Sequence, residues 1–282
     1  MPLLNLKSIL EDAYKNNYAI GAFNVYNIED ITAVIKAAEE ASSPVILMTS
    51  SSAVNHSTVE DLGAIITRRA KNSKVPICLH LDHATTFQEI VKAINSGYTS
   101  VMFDGSSLPY EENVLKTNEV VKVAKYLNVS VEAEIGRVGN SEEGNDDFEM
   151  ILSEPKEVQM FINDTNIDAC AIAIGTQHGM QKQDAKLDFK RLKEINKIKN
   201  VPLVLHGSSG VSDKDLHKVA ANGIDKVNIG TRLKRVFSDS LRSEINNNPE
   251  EHNHIKLLNP SIEKVKEEVI KKIKLLGCDN KA

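Results

Sequence analysis

The sequence predicts an α/β fold, a TIM (β/α)8 barrel in a single domain spanning residues 1–282, on three grounds. Eight short apolar runs, rich in β-branched residues, alternate with longer segments of helical period. Most of these runs are apolar on both faces, as expected when helices cover a parallel sheet. The chain of 282 residues is also close to the roughly 250 residues of a typical barrel of this kind.

The strand candidates recur regularly along the chain. They are the segments 19–25, 45–50, 76–82, 100–105, 130–136, 169–175, 202–207 and 226–230. Amphipathic helices are predicted between them; after the first strand, Ile28, Ile31 and Ile35 recur at helical spacing with charged residues on the other side. A doubly wound open sheet is the alternative. It needs fewer strands and usually a Gly-rich first turn, which the sequence GAFNVYN does not provide.

Two segments interrupt this alternation. Residues 137–150, RVGNSEEGNDDFEM, are rich in Gly, Asn and acidic residues, and we expect a mobile loop over the active site there. The tail at 260–277 repeats apolar residues at helical spacing and predicts an extra C-terminal helix. This helix is expected to pack on the barrel or on a second subunit.

Composition narrows the function to chemistry on a small molecule. The net charge is −5 and the lysines are scattered among acidic residues, so we expect no binding to nucleic acid or to a membrane surface. The three cysteines are far apart in sequence and fit neither a disulfide framework nor a thiolate metal site, which favours a cytoplasmic protein. The N-terminal segment soon becomes polar and acidic, unlike a signal peptide or a membrane span.

Polar residues cluster where the predicted strands end. In a TIM barrel the loops after the strands meet at one rim, and catalytic residues lie there. The residues predicted at this rim are Asn24, Ser50, Asp82, His83, Asp104, Glu134, His178, His206 and Asn228.

Three histidines of this set suggest a metal site. His83, His178 and His206 are too far apart for a local motif, but three strand ends of one barrel can bring them to one ion. Neutral imidazoles suit zinc or a similar divalent metal, and three protein ligands leave coordination positions open for a substrate. His80 lies inside its strand and is predicted to make a hydrogen bond in the core or behind the site. The remaining histidines at 56, 217, 252 and 254 are expected to be solvated.

Two loops predict phosphate binding. The sequences HGSSG (206–210) and NIGT (228–231) end the seventh and eighth strands and lead into helices. In TIM barrels the backbone N–H groups of these two loops frequently bind phosphate. A phosphorylated substrate is therefore expected.

These motifs together resemble one known family. VPICLHLDHA, SVMFDGS, VEAEIGRVG, AIGTQHG, VPLVLHGSSG and KVNIGT occur in an order and spacing similar to those of the class II, metal-dependent ketose-bisphosphate aldolases, which include fructose- and tagatose-bisphosphate aldolases. The resemblance extends from about Leu6 to the C-terminal helix. It implies reversible cleavage of a ketose 1,6-bisphosphate to dihydroxyacetone phosphate and glyceraldehyde 3-phosphate, by a homodimer or homotetramer.

The resemblance also implies roles for individual residues. His83, His178 and His206 would bind the catalytic Zn²⁺, and Asp104 and Glu134 match positions that bind a second metal in some members. Asp82 would exchange a proton with the C4 hydroxyl, and Glu142 would exchange the proton of dihydroxyacetone phosphate. Substrate contacts are implied for Asn24, Ser50, Gly179, Gly207, Ser208, Ser209, Asn228, Ile229, Gly230 and Thr231.

Elementary chemistry supports such roles. Breaking the C3–C4 bond leaves an enediolate, whose charge a divalent ion with open coordination positions stabilises as a Lewis acid. A carboxylate beside a metal ligand can exchange a proton with the C4 hydroxyl. A base on a closing loop can act while water is kept from the intermediate.

Three departures from the family pattern bear on the substrate. The loop reads GRVGNSEE where many relatives have a Gly-Gly pair, so either Glu142 or Glu143 is a candidate for the proton exchange. Gly230 stands where fructose-type enzymes have Asp and tagatose-type enzymes a small residue, which tilts the prediction slightly toward tagatose 1,6-bisphosphate or relaxed stereochemistry. Arg232 stands where relatives commonly have an acid, as a surface change or a second phosphate contact.

Two rival functions remain. A metal-dependent hydrolase on a barrel usually has an H-x-H motif after the first strand, and GAFNVYN contains no histidine. A non-catalytic sugar-phosphate binding protein would have no use for Asp82 or for three metal ligands.

Overall fold

The computed structural model describes residues 3–140, 149–180 and 182–282, and eight of the described strands close into a parallel barrel. The strands are β1 (Ile20–Asn24), β2 (Val45–Thr49), β3 (Ile77–Ala84), β4 (Ser100–Phe103), β5 (Ser130–Ile135), β6 (Gly139–Asn140), β7 (Ala169–Ile172), β8 (Gln177–His178), β9 (Leu203–Leu205) and β10 (Lys226–Ile229). Around the barrel they run in the order β1-β10-β9-β7-β5-β4-β3-β2. The predicted TIM barrel is confirmed, and each of the eight predicted strands overlaps one barrel strand; β3 continues two residues beyond the predicted end at residue 82.

Helices cover the outside of the barrel. They are α1 (Leu6–Asn16), α2 (Ile28–Glu40), α3 (Ser51–Ser57), α4 (Val59–Asn72), α5 (Phe87–Asn95), α6 (Tyr110–Tyr126), α7 (Pro155–Thr165), α8 (Phe189–Asn196), α9 (Asp213–Ala221), α10 (Thr231–Asn247) and α11 (His254–Leu276), with a 3₁₀ turn at Ser208–Gly210. None of the described helices is long and apolar enough to cross a membrane.

Local sequence signals explain how the helices follow the strands. Thr86 caps α5 through a capping box, because its hydroxyl accepts the Glu89 N–H while the Glu89 carboxylate accepts the Thr86 N–H at 3.0 Å. This cap fixes the chain three residues after His83. The Asn27 side chain caps α2 by accepting from the Asp30 N–H at 2.9 Å. Both caps hold loops at the carboxyl end of the barrel.

The segment predicted as a mobile loop has ordered ends. Gly139 and Asn140 form β6, which pairs in parallel with β8, and Arg137 forms a backbone bridge with Ile151. Residues 141–148, which include Glu142 and Glu143, lie outside the described residues. The start of the predicted loop is therefore paired with the strand that contains His178 and is bridged to the residue that follows the end of the loop.

The C-terminal helix is longer than predicted. Helix α11 begins at His254 instead of near residue 260, since Asn253 caps it and Pro260 is accommodated inside the helix. The helix packs against α2 and α10 and buries Val265, Val269 and Ile273. Packing on the barrel was one of the two predicted alternatives.

Candidate active site

A cavity of about 450 Å³ opens at the carboxyl end of the barrel strands. Of the residues predicted to contact metal or substrate, those that line this cavity are Asn24, Ser50, Asp82, His83, Asp104, Glu134, His178, Gly179, Gly207, Ser208, Ser209, Asn228, Gly230 and Thr231. His206 is fully buried, and its Nδ1 lies 2.8 Å from His83 Nε2. Ile229 differs from the prediction: it is 1% exposed, belongs to the hydrophobic core and is not among the described lining residues.

The three predicted histidines converge on one point. His83, His178 and His206 each offer a ring nitrogen, and these nitrogens lie within 4.8 Å of one another. The His83 Nε2 and His206 Nδ1 atoms are 2.8 Å apart, and the three rings are nearly perpendicular to each other, at 81° to 89°. Imidazole nitrogens arranged in this way are donors that zinc and similar divalent ions prefer.

An irregularity in β3 lets two consecutive residues face the same cavity. Side chains normally alternate across a strand, so Asp82 and His83 should point to opposite faces. The register of β3 against β4 shifts between Leu81 and Ala84, and His83 has a φ of +52°. A positive φ is uncommon for a residue other than glycine and carries a conformational cost. The bulge brings both side chains to the cavity.

Asp82 is held by two amides. Asn24 Nδ2 donates to Asp82 Oδ2 at 3.0 Å, and Asn228 Nδ2 donates to Oδ1 at 3.1 Å. Burial acts to raise the pKa of Asp82, but the nearby His83, His206 and Lys226 and the hydrogen bond from Asn24 outweigh it and lower the pKa below its usual value. Asp82 is therefore an oriented carboxylate beside the three imidazoles.

A second group of donors adjoins the first. His83, Asp104 and Glu134 also place ligand atoms within 4.8 Å of one another, and His83 Nδ1 lies 2.7 Å from Asp104 Oδ2. Burial and then the charge of Asp104 raise the pKa of Glu134 to about 8. Within the described part of the chain, Glu134 Oε2 is buried without a hydrogen-bond partner. A cation would satisfy this oxygen.

Histidine 83 takes part in both groups. Burial disfavours its charged form, yet the carboxylates of Asp82 and Asp104 outweigh this and raise its pKa to about 10 in the absence of an ion. The same negative charge that attracts this proton would attract a divalent cation.

The two predicted phosphate loops form one wall of the cavity. Gly207 has a φ of +65°, and a Cβ atom there would lie 2.6 Å from the Gln177 carbonyl oxygen. The Ser208 hydroxyl donates to the Asn228 carbonyl and ties the two loops together. The N-terminus of α10 begins at Thr231. Backbone N–H groups at such a helix end favour an anion.

Sequence reasoning missed several residues at the cavity. Tyr26, Lys234 and Arg137 line it, and Lys234 Nζ lies 5.0 Å from the centroid of the Tyr26 ring. Lys234 follows Gly230 by one helical turn, and this spacing was the signal that could have found it. The other missed lining residues are Ser51, Ser52, Thr85, Ser106, Ser107 and Val138.

The structure also gives partners for two other residues. Arg232 makes a bidentate ion pair with Glu268 on α11, at 3.0 and 3.1 Å, which agrees with a surface change. His80 is fully buried and its Nδ1 lies 2.7 Å from the Ser100 hydroxyl, as predicted for a core hydrogen bonder. The histidines at 56, 217, 252 and 254 are exposed, also as predicted.

Comparisons with known proteins agree with the resemblance seen in the motifs. The sequence matches the family model described as "Fructose-bisphosphate aldolase class-II" over residues 4–281. It is 39% identical to the fructose-bisphosphate aldolase of Staphylococcus aureus strain Mu50, with all of both chains covered, and 36% identical to the sulfofructosephosphate aldolase of Alkalicoccus urumqiensis, covering 100% of this chain and 99% of the relative. The crystal structure of the YdjI aldolase from Escherichia coli K12 matches at a TM-score of 0.88 and 34% identity, with 99% of each chain covered.

Proposed function

Because the chain belongs to the class II fructose-bisphosphate aldolase family, and is thus an aldolase, we propose that it is a zinc-dependent enzyme that reversibly cleaves a ketose 1,6-bisphosphate to dihydroxyacetone phosphate and glyceraldehyde 3-phosphate. The observation that carries this proposal is the convergence of His83, His178 and His206 beside the oriented carboxylate of Asp82.

The donor set fits the proposed metal. His83, His178 and His206 would hold Zn²⁺, and Asp104 and Glu134 would hold a second divalent or monovalent cation beside it, where Glu134 Oε2 is unsatisfied by the described residues. A bound Zn²⁺ would supply Lewis-acid stabilisation of the negative charge released when the C3–C4 bond breaks.

The protein side chains supply proton transfer and orientation. Asp82 exchanges a proton with the C4 hydroxyl, and the amides of Asn24 and Asn228 keep its two oxygens in place. Glu142, or Glu143 next to it, is proposed to exchange the proton of dihydroxyacetone phosphate; both lie outside the described residues.

Each anionic end of the substrate would have its own contacts in the cavity. The loops at Gly207–Ser209 and Asn228–Thr231 would bind the phosphate of the dihydroxyacetone phosphate half through backbone N–H groups. Ser50, Tyr26 and Lys234 also line the cavity, and Lys234 would supply a cation for the other anionic end of the substrate. The name of the relative at 36% identity indicates that a sulfonated ketose phosphate should be tested in the same position.

The proposed function is tested by mixing the purified protein with fructose 1,6-bisphosphate, tagatose 1,6-bisphosphate or a sulfofructose 1-phosphate and following triose phosphate release. We expect cleavage of at least one bisphosphate that stops with EDTA, returns with Zn²⁺ and survives borohydride. Inactivation by borohydride in the presence of substrate would instead indicate a lysine Schiff base. Release of inorganic phosphate without triose phosphate would favour a hydrolase, and tight binding without turnover a binding protein.

Gly230 allows Asn24 to hold Asp82. A Cβ atom at residue 230 would lie 2.6 Å from Asn24 Oδ1, so any side chain there must displace the amide that donates to Asp82. We expect Gly230→Ala to lower kcat for both bisphosphates about ten- to a hundredfold, since misplacement of a reacting group by about 1 Å costs on this order. Steady-state kinetics with both epimers checks this, and Ser243→Ala on the exposed face of α10 serves as the control. A loss confined to one epimer would mean that residue 230 selects stereochemistry without acting through Asn24.

A further inference from the structure

A buried ion pair lies inside the barrel below the proposed metal ligands. Glu132 on β5 and Lys226 on β10 are both fully buried, and Lys226 Nζ donates to Glu132 Oε2 at 2.8 Å. Burying two charges in this way usually gives little net stability, because the loss of hydration offsets the attraction. A hydrophobic pair of similar volume would fill the same space, so the charged pair calls for a functional explanation.

The other oxygen of Glu132 contacts a proposed metal ligand. Glu132 Oε1 lies 2.9 Å from His206 Nε2, while His206 Nδ1 faces His83 Nε2 at 2.8 Å. If Nε2 carries the proton and donates it to Glu132, the lone pair of Nδ1 points to the centre of the three histidines. A carboxylate that accepts from a ligating histidine commonly fixes its tautomer and ring orientation.

We propose that Glu132 and Lys226 are positioning residues that hold His206 in the tautomer and orientation required for metal binding. Lys226 occupies Oε2 and so favours the orientation of the carboxylate in which Oε1 is directed at His206 Nε2. The inference rests on the proposed function at one point, the assignment of His206 as a metal ligand.

Glu132→Gln is expected to change the tautomer of His206. The Gln amide has one oxygen and one NH₂ group, and Lys226 can only be satisfied by the oxygen. The NH₂ group then faces His206 and donates to Nε2, which moves the His206 proton to Nδ1 and blocks the metal-binding lone pair. In the double variant Glu132→Gln/Lys226→Met the oxygen is free to face His206 again, and the original tautomer returns.

The experiment measures Zn²⁺ affinity of the metal-free protein by competition with a chromophoric chelator, together with Tm and the ¹⁵N shifts of the His206 ring. We expect Glu132→Gln to weaken Zn²⁺ binding about a hundredfold and Lys226→Met about tenfold, the range typical when a partner of a ligating histidine is removed. The double variant should bind Zn²⁺ more tightly than Glu132→Gln alone. In the wild-type protein the ¹⁵N shifts should show Nε2–H, and in Glu132→Gln they should show Nδ1–H.

A matched control is available in the same protein. Lys199 Nζ donates to Asp225 Oδ2 at 2.7 Å, in another buried pair that lies where strands β9 and β10 begin. Asp225→Asn should lower Tm but leave Zn²⁺ affinity within about twofold. Any of three results would overturn the proposal and indicate a purely structural role for Glu132. Zn²⁺ affinity could fall as far in Asp225→Asn as in Glu132→Gln, or Glu132→Gln could bind Zn²⁺ normally. The third such result is a wild-type His206 that carries its proton on Nδ1.

A separate variant, His206→Ala, tests whether His206 is a metal ligand. His206→Ala should lose more Zn²⁺ affinity than any variant of Glu132 or Lys226. If His206→Ala binds Zn²⁺ like the wild type, His206 is not a ligand and the proposed metal site is wrong. If zinc binding follows the expected order but no ketose bisphosphate is cleaved, the positioning role stands and the proposed substrate is wrong.

Discussion

Replacing His83 with alanine is expected to remove both Zn²⁺ binding and cleavage activity. His83 belongs to both groups of potential ligands, since its Nε2 lies 2.8 Å from His206 Nδ1 and its Nδ1 lies 2.7 Å from Asp104 Oδ2. Lewis-acid stabilisation by a bound metal is worth several kcal/mol. At 1.36 kcal/mol per tenfold change, its loss should lower kcat/KM by at least about a thousandfold.

The measurement is zinc content by elemental analysis beside kcat/KM for the preferred bisphosphate. His217→Ala on the exposed face of α9 is a matched control and should retain both. Because residue 83 has a positive φ, alanine keeps the backbone strain of the wild type, and His83→Gly serves as a second variant that relieves it. A folded, zinc-free variant that still cleaves the substrate within tenfold of the wild-type rate would contradict the metal mechanism.

The residues at the rim of the barrel could be predicted from the sequence, because apolar runs and the residues that end them indicate where the strands end. Apolar runs mark the strands, and a polar residue that ends such a run must leave the core. Asp82 and His83 follow the run ICLHL, and His206 follows PLVL, so the sequence alone predicts their place at the carboxyl end of the strands. The prediction for Arg232 stayed open between two roles because its partner, Glu268, comes from a distant helix.

Residues that act from inside the barrel could not be found in this way. Lys226 starts a strand, where a lysine is normally solvated, and nothing in its neighbourhood indicates burial. For Glu132 the sequence indicates only that it lies two residues before Glu134, so the two side chains share one face of a strand. The closure of the barrel, which brings the side chain of β10 to that of β5, gives the two residues their contact at 2.8 Å. Such a contact depends on the radius and tilt of the whole barrel, which local sequence does not encode.

The exact start of helix α11 could not be predicted from the sequence for a related reason. The Pro260 ring favours the first turn of a helix, so the sequence predicted a start near that residue. The Asn253 side chain accepts from the Ile255 N–H and starts α11 six residues earlier, while packing against α2 and α10 holds the helix through the proline. Tertiary contacts outweigh the local preference here.

Asp82→Asn is expected to slow cleavage of the C3–C4 bond far more than proton exchange on dihydroxyacetone phosphate. Asp82 accepts from the amides of Asn24 and Asn228, and an asparagine at this position keeps its shape but offers only one oxygen to these two donors. It also loses the ability to take up a proton. Because general acid–base catalysis contributes roughly a hundred- to ten-thousandfold, kcat for cleavage should fall by about that factor.

Proton exchange on dihydroxyacetone phosphate provides the contrast that makes this test specific. Exchange involves no C4 hydroxyl and is assigned to the loop glutamate, so in Asp82→Asn it should continue at a rate within about tenfold of the wild type while cleavage collapses. Zinc content should not change, since the three imidazoles remain in place. Asp239→Asn on the exposed surface of α10 should leave both rates unaltered. If exchange and cleavage fall together in Asp82→Asn, the carboxylate organises the site as a whole and its proton does not go to the C4 hydroxyl.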